Sequence, residues 1–126
     1  MFLISTSIKP STIHGLGCFA DEKIKKGQKI WVFDERIDIR VSEAEFSTLP
    51  APAKTFLAMY SYAEMYEGQK VFVISSDHSK HMNHSDRPNV IQGDGYFDIA
   101  ARDIEPGEEL TCNYHTFDLD AKRKLS

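Results

Sequence analysis

Apolar residues in this chain fall in many short runs separated by turn signals, a pattern of strands rather than of long helices. Phe2 to Ile8 mixes apolar residues with Ser and Thr and predicts a first strand, closed by Lys9-Pro10-Ser11. Gly15-Leu16-Gly17-Cys18-Phe19-Ala20 leads through a glycine-rich bend into a second, and Lys29 to Phe33 carries an Ile-Trp-Val-Phe run after a turn at Gly27. Ser42 followed by Glu45 has the form of a capping box, so a helix is expected from about Glu43 to a stop before Pro50. Pro52 suits the first turn of a second helix, whose apolar stripe would be Phe56, Leu57, Met59 and Tyr60. Gln69 to Ser75 with its Val71-Phe72-Val73-Ile74 run, Tyr96 to Ala101 and Glu109 to Asn113 predict further strands, and Leu119 to Leu125 a short terminal helix. No repeat, low-complexity tract or linker interrupts the 126 residues. The expectation is a single domain over 1–126, mainly β with short helices.

Composition narrows the function classes. A hydrophobic fraction of 41% with 11% aromatics supports a real core. The formal net charge of -4 argues against direct nucleic-acid binding, which needs a basic face, and suits a cationic partner. No stretch approaches membrane-spanning length, and the Met1-Phe2-Leu3-Ile4-Ser5 start lacks the basic opening of a secretory signal. Cys18 and Cys112 stand alone and far apart, so neither a zinc spacing nor a disulfide framework is present, although a bond between the two remains one alternative. A reducing compartment is the simpler reading, with the cytoplasm as the expected location and a host nucleus or chromatin the alternative for a viral or effector protein. Exposed sheet edges in so small a domain are compatible with a homodimer.

Candidate chemistry concentrates in two segments. Lys80-His81-Met82-Asn83-His84-Ser85-Asp86-Arg87-Pro88-Asn89 holds a compact set of hydrogen-bonding side chains ended by a Pro-Asn pair. Gly107-Glu108-Glu109-Leu110-Thr111-Cys112-Asn113-Tyr114 runs from a turn into a strand that ends on a tyrosine. Such a pair suggests a site assembled from two loops. The Gly15-Leu16-Gly17 bend is a third candidate, since glycine lets a ligand approach the bare backbone, although taken alone such a bend is more often a tight turn. His78, His81 and His84 recur every third residue beside Asp77 and Asp86, which leaves a metal-site reading open. Against that reading, the flanking Ser75-Ser76 and Ser85-Asp86-Arg87-Pro88 are poor helix material.

The three segments together resemble the SET-domain protein-lysine methyltransferases. His14-Gly15-Leu16-Gly17-Cys18-Phe19-Ala20 is similar to that family's Gly-x-Gly-x-Phe-Ala motif, the second segment to its Asn-His-Ser-Cys-x-Pro-Asn run, and the third to its Glu-Leu-x-Phe-Asp-Tyr run. The resemblance spans His14 to about Phe117 and is nearest to the minimal SET proteins of viruses and bacteria. It implies a β-clip-like fold of several small sheets around a pseudoknot fixed by Ser85, Pro88 and Asn89. It also implies S-adenosylmethionine as cofactor, held by His14, Gly15, Leu16, Gly17, Asn83 and His84 with Tyr114 and Phe117. The substrate would be a protein or peptide with an accessible lysine, histone-like or otherwise basic.

Within this resemblance Tyr114 is the catalytic residue, with its hydroxyl at the methyl-transfer centre. Attack of a neutral lysine amine on a sulfonium methyl needs alignment and dryness more than acid or base work, so Tyr114 is assigned an orienting and polarising role. Tyr62, Cys112 and Phe117 are expected in the substrate channel, with Tyr60, Tyr66 and Tyr96 as further candidate aromatic walls. Cys112 stands where many members carry Phe or Tyr, a choice that limits how many methyl groups are added, so mono-, di- and trimethylation all stay open. Asp86 replaces the family cysteine that in some subfamilies joins a zinc cluster, and neither a pre-SET nor a zinc-binding post-SET module is expected. Ser42 to Tyr66 would help choose the peptide. Three other readings stay beside this one: a degenerate SET module that binds a partner without catalysis, a small metal enzyme using the histidine triplet, and methylation of a small molecule.

Overall fold

The computed structural model describes residues 1–95 and 97–125, and in them four small sheets and three short helices surround the site segments. Strands β1 (Thr6–Pro10) and β2 (Leu16–Ala20) form an antiparallel pair. β3 (Lys29–Val32) and β8 (Val90–Gln92) flank β9 (Phe97–Ala100). β4 (Asp38–Ser42) and β5 (Tyr62–Tyr66) flank β6 (Gln69–Ser75). The two-residue strands β7 (Asn83–His84) and β10 (Thr111–Cys112) pair in parallel. The mainly β architecture of several small sheets with short helices expected from the sequence is the one observed.

The central strand β6 explains its own apolar run. Flanked on both edges, it buries the successive residues Val71, Phe72 and Val73, as a strand covered on both faces does. β5 reaches it through Glu67-Gly68, both with positive φ (49° and 79°), the two-residue turn whose twist suits a hairpin. A second core of Cys18, Ala20, Ile24, Ile30, Val90, Ala100, Ile104 and Leu110 joins β2, β3, β8 and β9 to the turn before β10.

The helices are short and locally specified. Helix α1 (Glu43–Ser47) opens on the expected capping box: Ser42 Oγ accepts from Glu45 N–H at 3.0 Å, and Glu45 Oε1 accepts from Ser42 N–H at 3.0 Å. Helix α2 (Ala51–Tyr60) has Pro52 in its first turn. Its expected apolar stripe is mostly unburied, because only Leu57 reaches the core while Phe56 and Met59 are 47% and 57% exposed. Helix α3 (Ala121–Lys124) closes the described chain.

Three boundaries differ from expectation for physical reasons. The first strand begins at Thr6 rather than Phe2, because Phe2 bridges instead to Trp31 and the Leu3 N–H bonds to Ile30. The last strand shrinks from Glu109–Asn113 to Thr111–Cys112, because the Leu110 N–H turns back to Cys18 and Glu109 bridges to Phe19. Tyr114 is therefore not the end of a strand; it opens a 3-10 turn, Tyr114–Thr116, capped by Asn113 Oδ1 on His115 N–H at 3.0 Å. Tyr96, which opened a predicted strand and was a candidate channel wall, lies outside the described residues. Among the described residues no helix is long and apolar enough to cross a membrane.

Candidate active site

Asn83 is the residue on which the distant segments converge. Its Nδ2 donates to the carbonyls of His14 (3.0 Å) and Leu16 (3.2 Å) and to Glu109 Oε2 (2.9 Å), and the residue is 7% exposed. Glu109 in turn accepts from Ser11 Oγ at 2.8 and 2.9 Å. The two glycines of the bend serve different ends. A Cβ on Gly17 would sit 2.5 Å from Glu109 Oε2, so that glycine is required by the carboxylate above it. Gly15 has φ +47° and nothing within 4 Å of a Cβ position, so the open face of the bend lies there.

Asn89 performs a similar tie on the other side of β7. Its Oδ1 accepts from Thr111 N–H at 2.8 Å and its Nδ2 donates to the Glu109 carbonyl at 2.8 Å, with only 2% exposure. These bonds hold β10 beside β7 at the crossing where the resemblance implies a pseudoknot. Ser85 contributes its backbone N–H to the Cys112 carbonyl at 3.0 Å.

His84 then hands the arrangement to Tyr114. The Tyr114 backbone N–H donates to His84 Nδ1 at 3.1 Å, which leaves Nε2 as the protonated nitrogen, 3.0 Å from Asp86 Oδ1. The Tyr114 hydroxyl donates to the Met82 carbonyl at 2.8 Å. Burial first, then the neighbouring Cys112 and Asp118, push the phenol far above its ordinary range, so the group remains an O–H donor with lone pairs free to accept. Edge-to-face contacts continue the row: His115 to His84 (5.4 Å), His84 to Tyr114 (5.3 Å), Tyr114 to Phe117 (6.1 Å) and Phe117 to Tyr62 (5.2 Å).

A cavity of about 200 Å3 is lined by Tyr60, Tyr62, Met82, Cys112 and Phe117; Tyr114 does not line it but adjoins it through its bond to the Met82 carbonyl and its contact with the Phe117 ring. Asp118 fixes Phe117 there: its Oδ1 accepts from Ala63 N–H at 2.9 Å, and Leu119 N–H donates to the Ala63 carbonyl at 2.9 Å. Arg40 forms part of the wall, stacked between Phe33 (3.7 Å) and Tyr66 (3.9 Å) and 3.6 Å from Glu64 Oε1. Burial raises the Tyr62 phenol and the Cys112 thiol, so both are uncharged.

The expected site residues thus divide into two groups that meet at Tyr114. His14, Gly15, Leu16, Gly17, Asn83 and His84 gather on one side, while Tyr62, Cys112 and Phe117 line the cavity on the other. Tyr66 packs on Arg40 and does not line the cavity. The histidine triplet is dispersed: His78 Nδ1 meets Thr6 Oγ1 at 2.9 Å, His81 packs against Tyr60, and His84 serves Tyr114. Among the described residues no group of His, Cys, Asp and Glu could hold a metal ion, and both cysteines are free thiols. Sequence reasoning missed the side-chain roles of Glu109 and Asp118 and overlooked Met82 and Asp98, which line or support the cavity. Met82 and Glu109 lay inside the second and third segments, whereas Asp98 and Asp118 carried no signal.

The model of the SET domain family matches residues 15–115. The chain belongs to the SET-domain family. Members of this family are generally S-adenosylmethionine-dependent lysine methyltransferases. The SET fold here is similar to that in Chaetomium thermophilum Polycomb Repressive Complex 2 bound to S-adenosylmethionine in an autoinhibited conformation: TM-score 0.68, 21% identity, 97% of this chain and 16% of that one. The apo complex in an autoinhibited state gives 0.70 at 22% identity, covering 97% of this chain and 17% of that one. A candidate histone methyltransferase of Plasmodium falciparum gives 0.60 at 19%, covering 88% and 93%. This SET chain therefore spans about a sixth of the length of the Polycomb chains. Among curated proteins none matches the sequence significantly.

The residues present fit a sulfonium cofactor. Open backbone at Gly15, the exposed Leu16 side chain and the ring faces of His84 and Tyr114 offer apolar, carbonyl and aromatic surfaces, the chemistry that receives a soft cation.

Proposed function

We propose that this SET-domain chain transfers methyl groups from S-adenosylmethionine to the side-chain amine of a lysine in a protein substrate. The observation that carries the reading is the position of Tyr114, held by His84 on one side and in contact with the cavity-lining Met82 and Phe117 on the other. His14, Gly15, Leu16, Asn83 and His84 would hold the cofactor, which supplies an activated methyl on sulfonium. Gly17 would act through its support of Glu109.

The chain's own residues align and dry the amine. Tyr62 and Phe117 meet edge to face at 5.2 Å and form a slot that admits an aliphatic stem. The Tyr114 hydroxyl donates its proton to the Met82 carbonyl, so its oxygen keeps lone pairs that would accept an amine N–H and orient the nitrogen lone pair along the transfer axis. An apolar wall disfavours the charged amine and lowers its pKa toward the neutral form that reacts. A cavity near 200 Å3 suits one side chain better than a whole small-molecule substrate, for which clefts of roughly 300–1,000 Å3 are usual. This favours a lysine in a peptide over a free metabolite.

Calorimetry with S-adenosylmethionine, followed by transfer of labelled methyl to a panel of basic proteins and mass spectrometry of the modified sites, tests the proposal. Uptake of the cofactor and methyl-lysine on a protein are expected. Well-folded material that binds no cofactor would sink it, and transfer to free amines but not to peptides would reassign the substrate.

A further inference from the structure

The channel contains one charge that alignment and dryness do not explain. Asp98 lies in the central strand β9, opposite Trp31 on β3 and Gln92 on β8, and it lines the same cavity as Tyr62, Cys112 and Phe117. Among the described residues its carboxylate makes no hydrogen bond and no ion pair. Burial pushes its carboxyl up to about 6. Its charge is felt at Cys112 and, behind that of Glu64, at Tyr62, whereas the groups felt at Tyr114 are Cys112 and Asp118. Asp98 therefore stands along the channel and not at the transfer centre. A partly buried carboxylate without a partner is unfavourable, and in a ligand channel it is relieved by a cation that arrives with the ligand.

We propose that Asp98 is the counter-charge of the channel, receiving the ammonium of the incoming lysine and holding it beside Tyr62 and Phe117 before the amine reaches Tyr114. The inference rests on the lysine-methyltransferase reading and adds to it a residue that selects the substrate's charge. The groups facing this part of the channel are Arg40 from β4, Tyr62 and Glu64 from β5, Lys80 from the 3-10 turn His78–His81, and Cys112 from β10. The Met1 ammonium is the cation whose charge is felt at Asp98, and it is itself bound to Asp38 at 2.7 Å. Arg40 is already engaged by its two aromatic rings and Glu64, and neither it nor Lys80 lies within ion-pair distance of Asp98. The carboxylate is thus available to an external cation.

The assignment carries a trade-off that a packing role would not. A carboxylate beside the amine raises channel occupancy by lysine, but it also holds the proton that must leave before methyl transfer. Asp98→Asn keeps the shape and removes the charge. With a protein substrate it should raise KM and also move the rising limb of the kcat pH profile to lower pH. A variant that merely loosened the fold would show no such pairing.

The direct test uses n-butylammonium chloride as a probe of the lysine side chain and 1-butanol as a neutral analogue of the same length. The carboxyl carbon of Asp98 is followed by NMR as pH is varied; butylammonium stays charged throughout, its pKa being near that of lysine, about 10. Butylammonium should lower the Asp98 midpoint from about 6, because a bound cation favours the carboxylate, while butanol leaves it unchanged. In Asp98→Asn the affinity for butylammonium should fall roughly tenfold, the loss expected for a charge-assisted hydrogen bond. An unmoved midpoint, or equal affinity of wild type and variant, overturns the assignment. Calorimetry with S-adenosylmethionine on the same sample separates the two proposals. Cofactor uptake without a butylammonium effect removes the counter-charge alone, and a butylammonium effect without cofactor uptake removes the methyltransferase reading alone.

Discussion

Tyr114 and His84 fix one another: the tyrosine's backbone N–H is held at 3.1 Å by the imidazole Nδ1, while its own hydroxyl reaches Met82 at 2.8 Å. The ring is anchored at both ends, and the two anchors can be removed separately. Tyr114→Phe keeps the backbone bond and loses only the hydroxyl. The expected cost in stability is about 1 kcal/mol. Cofactor affinity should change little, while turnover falls by roughly 100-fold or more, as when one transition-state contact is lost. Calorimetry and single-turnover methyl transfer on the same variant read the two effects, and equal losses in both would contradict the orienting role.

Asn83→Asp tests the junction of the three segments. It removes the amide donors to the His14 and Leu16 carbonyls and places a second carboxylate against Glu109, whose Oε2 lies 2.9 Å from the present amide nitrogen. Like charges in contact raise the pKa of one member of the pair, so the penalty is present at neutral pH and shrinks as pH falls and a proton is shared. A loss of roughly 3 kcal/mol or more is expected at pH 7, narrowing toward pH 4 when wild type and variant are compared by denaturant titration.

Cys112→Tyr narrows the cavity beside Tyr62 and Phe117; it gives up the Cys112 Sγ contact to the Asn83 carbonyl at 4.0 Å and leaves the Asn83 side-chain bonds to His14, Leu16 and Glu109 in place. If lysine enters there, the variant should stop at fewer methyl groups than wild type while retaining its first transfer. Intact-mass analysis of a methylated peptide decides this, and an unchanged product distribution would place the target amine elsewhere.

Asp98 also makes a stability prediction that needs no substrate. Burial raises its folded-state carboxyl to about 6 from an ordinary value of 3.8, so its contribution to stability is full below the lower value and is lost as pH rises through the upper one. Asp98→Asn should match wild type near pH 4 and exceed it at pH 8 by on the order of 1–3 kcal/mol. Thermal or denaturant midpoints at the two pH values check the sign.

Both thiols should resist alkylation. Burial pushes Cys18 up to about 12, and burial together with Asp98 raises Cys112 further. The thiolate is the reactive form, so iodoacetamide at pH 7.5 should leave the folded protein unmodified and label both residues after denaturation, as mass spectrometry would show.

The features legible in the sequence were those set by neighbouring residues. The Ser42–Glu45 capping box, the buried Val71-Phe72-Val73 run and the proline-opened α2 all follow from chemistry within a few positions. Strand β7 did not show itself and β10 was drawn too long, because two residues carry no periodicity and their pairing depends on Asn89 reaching Thr111. The β5–β6 hairpin was overlooked although Glu67-Gly68 supplies its turn, since β5 alternates weakly and exposes Met65. At the site, the three motifs named the residues now gathered around Asn83 and Tyr114. Asp98 stayed hidden because nothing local to β9 distinguishes a cavity-facing carboxylate from one in solvent; the β4–β6–β5 sheet on the far wall makes the difference.

The reach of Asn83 across 69 residues to His14 and 26 to Glu109 means that the pocket has no partial form. Early and late portions of the polypeptide must both be present and docked before either half of the binding surface exists. A premature stop upstream of Thr111 would therefore remove the binding surface outright, because the segment that carries Thr111 and Tyr114 would be missing.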